Sequence, residues 1–138
     1  MGIDYGHKKT GLATFRWSID PCPTPYDTIF EPRIDKLIPQ IIQIIEDECI
    51  DFIILGLPTH ADGSDSDSTK KVRKFQEKLE LHTQLPIIHQ DERLTSKEAQ
   101  NRIEQSHLEP GQFREGYVDQ LAASIILEDF VQKVKNLS

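Results

Sequence analysis

IDKLIPQIIQIIEDECIDFIILGLP, residues 34–58, is the stretch that decides the fold. From Ile34 to Glu48 the apolar residues Ile34, Leu37, Ile38, Ile41, Ile42, Ile44 and Ile45 recur at helical spacing, which predicts a buried helix. Pro39 has no N–H to give the ladder, so the helix must hold it in its first turn or kink there. Asp51-Phe52-Ile53-Ile54-Leu55 is then an apolar run of strand length, stopped by Gly56-Leu57-Pro58, as expected of a central parallel strand covered on both faces. Residues 1–6 supply an earlier strand, and strand, helix and parallel strand together make an α/β layer.

Toward the N-terminus, Gly11-Leu12-Ala13-Thr14-Phe15-Arg16-Trp17 reads as a second strand, joined to the first through His7-Lys8-Lys9-Thr10 in a hairpin-like connection. Residues 18–33 hold Pro21, Pro23, Pro25 and Pro32, which predicts an irregular connection with at most a short edge strand near Thr28-Ile29-Phe30.

Toward the C-terminus, Thr59 to Ser68 is polar and carries Asp62, Gly63, Asp65 and Asp67. It lacks the terminal glutamate and second helix of a calcium loop, so a loop leading to a helix N-cap at Ser64 or Asp65 is the better reading. The helix over about 66–82 puts Val72, Phe75 and Leu79 on one stripe and Lys70, Lys71, Arg73, Lys74 and Lys78 on the remainder. That basic cluster is either a solvated face or a contact for phosphates. Leu85-Pro86-Ile87-Ile88-His89 resembles a strand, and Thr95 with Glu98 fits a capping box opening a helix near Ser96. After a loop at 107–113 containing Pro110-Gly111, a last helix runs from about Arg114 or Gly116 to Lys135.

Three carboxylates stand at the edges of these apolar elements. Asp4 lies in Gly2-Ile3-Asp4-Tyr5-Gly6, between two glycines; Asp-x-Gly also opens ordinary tight turns. Glu92 follows a strand's carboxyl end, where open α/β sheets place their sites, although Asp-Glu-Arg also suits a surface ion pair. Asp119 shares one helical face with Ala122, Ala123, Ile126 and Phe130, so it is expected to point inward with them; a helix-start carboxylate favoured by the macrodipole is the alternative. Three such acids brought together cannot all ionise without a cation, and Mg²⁺ or Mn²⁺ takes oxygen ligands of this kind.

Composition sets limits on the function. At 138 residues the chain is expected to form one domain, 1–138, that buries about two-thirds of its surface. Cys22 and Cys49 form no metal-type pair, the five histidines show no paired ligand spacing, and no apolar run reaches the roughly 18 residues of a bilayer span. A cytoplasmic location without membrane contact is the expectation. Net charge is −7, from 23 acids against 16 Lys plus Arg, which argues against a broadly basic nucleic-acid coat but allows a local basic strip.

The motifs GIDYGHKKTGLA (2–13), DFIILGLPTHADGSDSDSTKKVRKFQEKL (51–79), LPIIHQDERLTSKEAQ (85–100) and VDQLAASIIL (118–127), taken in order, resemble the YqgF/RuvX family of RNase H-like proteins, a group of pre-16S rRNA nucleases and Holliday-junction-resolvase-like proteins. The resemblance implies an α/β fold with a five-stranded mixed sheet of order 3-2-1-4-5, flanked by helices on both faces. It also implies catalytic, metal-holding roles for Asp4, Glu92 and Asp119 with Mg²⁺ or Mn²⁺, Asp91 being the neighbour that could share the role of Glu92. Lys8, Lys9, Lys70, Lys71, Arg73, Lys74 and Arg93 would neutralise a nucleic-acid backbone. The implied substrate is precursor 16S rRNA, with a four-way DNA junction as the runner-up, and the implied state is monomer or homodimer. Only Met1-Gly2-Ile3 precede Asp4, a shorter lead than related chains carry, which predicts a frayed first strand. Two other classes compete: a non-catalytic RNA-binding factor of the same fold, and an ATP-binding module whose phosphate loop looks similar to Asp4-Tyr5-Gly6, a fold that needs two such domains.

Overall fold

The computed structural model describes residues 1–58, 67–91, 95–105 and 115–137. The elements are β1 Gly2–Tyr5, β2 Thr10–Thr14, β3 Thr24–Ile29, α1 Ile34–Asp47, β4 Ile53–Leu57, α2 Asp67–Glu80, β5 Ile87–Asp91, α3 Thr95–Gln105 and α4 Tyr117–Asn136. The strands form one sheet in the order β3-β2-β1-β4-β5, with β1, β4 and β5 parallel and β2 and β3 antiparallel to their neighbours. Glu92, Arg93, the proposed N-cap at Ser64 or Asp65 and the 107–113 loop lie outside the described residues.

Two faces of this sheet are packed differently. On one, Ile3, Leu12, Ile53, Leu55 and Leu57 meet Leu37, Ile38, Ile41 and Ile45 of α1 and Val72, Phe75 and Leu79 of α2. Tyr5 stacks on Phe75 with ring centroids 4.4 Å apart. On the other, Ala13 and Ile54 meet Ala123, Ile126, Leu127 and Val131 of α4. Alternation along each strand separates these sets, because successive side chains point to opposite faces. α3 packs beside α4 through Ala99, Ala122 and Ile125, and Arg102 bridges the two helices by donating to Glu128 at 3.1 and 3.2 Å.

Several expectations shift. β1 is not frayed: the Met1 carbonyl accepts from the Ile54 N–H at 2.8 Å, and the Met1 nitrogen donates to the Phe52 carbonyl at 3.0 Å, so the ladder to β4 runs to the first residue. β3 is longer than the short strand expected near Thr28 and begins at Thr24. Pro25 is tolerated there because β3 is an edge strand and the register slips between Leu12↔Asp27 and Ala13↔Pro25, leaving Tyr26 as a bulge residue. β2 ends at Thr14, so Trp17 falls in a turn rather than a strand. β5 runs two residues beyond the expected end, which takes Asp91 into the strand. Pro39 sits in the second turn of α1, past the first; it and Asp35, whose carbonyl it cannot serve, are both exposed, so water can replace the missing N–H. Among the described residues no helix is long and apolar enough to cross a membrane.

Candidate active site

The site is set by where β1 meets α4. Asp4 pairs directly with Gly11 across the β1–β2 ladder, so the two residues face the same side of the sheet. A Cβ on Gly11 would lie 1.9 Å from the Asp119 carbonyl oxygen, which fixes that side as the α4 side and leaves room there only for glycine. One step down the strand, a Cβ on Gly2 would lie 2.8 Å from the Ala123 carbonyl oxygen. Two strand residues span about 6.6 Å and four helical residues about 6 Å, so the contacts Gly2 with Ala123 and Gly11 with Asp119 bring Asp4 and Asp119 to the same level of the sheet.

The first turn of α4 is tied down independently. Gly116 caps the helix with φ 85°, a left-handed conformation that any side chain would strain, and a Cβ there would also meet Phe30 at 2.7 Å and Thr28 at 2.9 Å. Thr28 of β3 donates its hydroxyl to the Gly116 carbonyl at 2.6 Å, and Gln120 donates to the Thr28 hydroxyl at 3.4 Å. The Asp119 N–H donates to the Gly116 carbonyl at 3.0 Å. These bonds hold Asp119 through its backbone and leave its side chain partly open to solvent.

Contrary to the inward orientation expected from its helical face, the Asp119 side chain is 26% exposed and lies beside Lys9, whose Nζ is 3.6 Å from Oδ2. Lys8 is exposed beside it on the β1–β2 connection. On β5, His89 contacts Gln76 of α2, so alternation puts Asp91 on the α2 face and Gln90, only 6% exposed, on the α4 face with Asp4. The structure therefore separates Asp91 from Asp4 and Asp119. Lys70, Lys71, Arg73 and Lys74 are exposed on the first turns of α2, a helix that follows the carboxyl end of β4 and is anchored there by the Thr69 hydroxyl donating to the Pro58 carbonyl.

The sequence did not reveal Thr28, Gln120 or Gln90. Thr28 and Gln120 act through each other and through Gly116, across elements, and a lone Thr or Gln carries no spacing signal; for Gln90, a glutamine inside a short strand was the one available cue. Metal fit rests on the donor set. Asp4 and Asp119 offer hard oxygen donors on one face at the carboxyl rim of the parallel strands, which suits a divalent ion of the Mg²⁺ or Mn²⁺ class. No group of three His, Cys, Asp or Glu suited to a metal occurs among the described residues, and Glu92 is not one of them.

A five-stranded mixed sheet in this order, with helices on both faces, is the RNase H-like fold. The family model described as "RuvX: Holliday junction resolvase" matches residues 1–133, and the chain belongs to the RuvX family. A protein of Nitratidesulfovibrio vulgaris, named "Putative pre-16S rRNA nuclease", is 35% identical over 95% of this chain and 91% of its own. One of the same name from Orientia tsutsugamushi is 37% identical over 99% of this chain and 85% of its own. Among solved structures, the RuvC of Thermus thermophilus superposes with a TM-score of 0.57 at 8% identity, covering 96% of this chain and 95% of that one, a likeness of fold.

Proposed function

We propose that the chain is a divalent-metal-dependent nuclease that hydrolyses phosphodiester bonds in the 5′-end maturation of precursor 16S rRNA, a step of ribosome biogenesis. The observation that carries this reading is the close backbone contact between Gly11 and Asp119, which sets the α4 acid level with Asp4 at the carboxyl rim of the sheet. The names of relatives aligned over nearly the full chain support RNA as the substrate.

Asp4 and Asp119 hold the metal, joined by Glu92 rather than by Asp91, which stands on the opposite face. When bound, Mg²⁺ or Mn²⁺ supplies a polarised phosphoryl oxygen and an acidified water. The protein's own share is placement. α4 is fixed at its first turn by Thr28, so the Asp119 carboxylate meets the substrate from one direction. Lys9, whose Nζ stands 3.6 Å from Asp119, offers its ammonium to the substrate phosphate flanking the cut. Lys8, Arg93 and the α2 row Lys70, Lys71, Arg73 and Lys74 neutralise the nucleic-acid backbone further out and set its register without reading its sequence.

The test is cleavage of a labelled 5′ precursor fragment of 16S rRNA, next to a four-way DNA junction, in Mn²⁺, Mg²⁺ or EDTA. Metal-dependent cutting of the RNA, reduced about a thousandfold in Asp4→Asn with the fold retained, is expected. Cutting of the junction alone would replace rRNA maturation by junction resolution. Binding of RNA with no cutting in any metal would overturn the catalytic reading.

A further inference from the structure

At the end of the sheet opposite the acids lies a cleft of about 510 Å³, reached by Met1, by the carboxyl ends of α1 and β2, and by Leu127 and Val131 of α4. We propose that this cleft is a docking site for an arginine- or lysine-bearing peptide segment of a basic partner protein. Two features of the cleft carry the proposal.

First, Trp17 is held out to solvent rather than left there by accident. Residues 16–20 form a turn closed on itself: Ile19 and Asp20 donate their N–H groups to the Arg16 carbonyl at 3.1 and 2.9 Å, and the Arg16 N–H returns to the Asp20 carboxylate at 2.7 Å. The Arg16 guanidinium donates to the same carboxylate at 2.9 and 3.2 Å, and Ser18 takes the left-handed φ of 69° that lets the chain reverse. Arg16, Ile19 and Asp20 are thus paired within the turn, and Trp17 remains 49% exposed with its ring perpendicular to that of Phe15, centroids 5.5 Å apart. Phe52, 37% exposed, lines the same cleft.

Second, the charge around these rings is negative. Arg16 is the cationic side chain of the lining, and its guanidinium is paired with Asp20. Glu48 and Asp51 add two exposed carboxylates on either side of the turn at Cys49, φ 53°. Glu48 accepts from the Tyr26 hydroxyl at 3.0 Å and Asp51 lies near the Met1 amino group, yet the lining carries more carboxylates than cations. Aromatic faces beside such a lining attract a guanidinium or ammonium, through the ring quadrupole and through charge, and repel a phosphate backbone. A basic peptide fits this lining, and a nucleic acid does not.

Trp17 is the chain's single tryptophan, so its emission reports on this cleft alone. The probe is a nine-residue peptide of alternating arginine and glycine, titrated into the full chain, with a glutamate–glycine peptide and a single-stranded RNA as controls. A saturable change in Trp17 emission with the arginine peptide, absent with both controls, is expected. Glu48→Gln with Asp51→Asn should weaken binding about fivefold or more with emission of the free protein and rRNA cleavage unchanged. With the peptide labelled instead, Trp17→Ser should weaken its anisotropy-detected binding about fivefold. Unchanged emission with the arginine peptide, equal affinity in the double variant, or an emission change caused by the RNA would each overturn the proposal, the last by making the cleft a nucleic-acid surface.

Discussion

The two faces of the sheet achieve different things with the same strands. The α1/α2 face is filled by large side chains: Ile3, Leu12, Leu37, Ile41, Leu55, Phe75 and Leu79 are all fully buried, and this volume supplies stability. Opposite it, Gly2, Gly11, Ala13 and Ala123 reduce the side-chain layer until the α4 backbone rests on the strands. Bulk on one face makes the domain stable; its removal on the other lets backbone contact set how α4 stands against β1 and β2. A site built this way does not depend on the rotamer of a long side chain for its spacing.

Leu37→Ala, on the bulky face, should lower stability by about 4 kcal/mol, read as a shift of the urea midpoint, because it leaves a cavity under α1. Specific cleavage activity of the molecules that remain folded should be unchanged; a proportionate loss would show that the faces are not separable. Gly11→Ala, on the other face, should cost about 3 kcal/mol, since its Cβ must displace the Asp119 carbonyl. Here the folded fraction should also lose cleavage, and retained full activity would show that the α4 contact does not position the acids.

Lys9→Gln removes the cation 3.6 Å from Asp119, a half-exposed pair worth about 0.5 kcal/mol. Stability should hardly move, while Mn²⁺ affinity measured by calorimetry should rise about twofold and affinity for RNA should fall; weaker Mn²⁺ binding would contradict the placement of Lys9 as the competing charge. The smallest effect is on the α2 face. Burial, followed by the nearby Arg73, holds the His89 imidazole below its usual pKa, so the folded state disfavours the protonated ring. That contribution to stability is complete above the unfolded value near 6.5 and is lost as pH falls below it, by about 0.5 kcal/mol or less because solvent screens the site. His89→Gln should flatten the stability profile between pH 7 and 5; an unchanged slope would assign it to other groups.

The α/β layer was legible because Ile34 to Leu55 carries helical and then continuous apolar patterning with little ambiguity, and both elements fold as expected. The helical face of α4 was equally plain in Ala122, Ala123 and Ile126. β3 was obscured by its prolines, which an edge strand tolerates through a bulge that no local signal announces. The proposed partnership of Asp4 with Asp119 was legible only as a shared preference for a cation. Its geometry lies in Gly2 and Gly11, whose role as contact points emerges once α4 is laid on the sheet. Lys9 read as a phosphate contact because the ion pair joins residues 110 positions apart in sequence, beyond the reach of any local pattern.

The measurement closest to the central claim is Mn²⁺-induced line broadening of the amide signals of the full chain. Two carboxylates brought level by α4 predict that sub-stoichiometric Mn²⁺ broadens the amides of Asp4, Gly11 and Asp119 first, leaves that of Trp17 at the far end sharp, and loses this selectivity in Asp4→Asn. Broadening spread evenly over the surface acids, or the same selective pattern in Asp4→Asn, would contradict it.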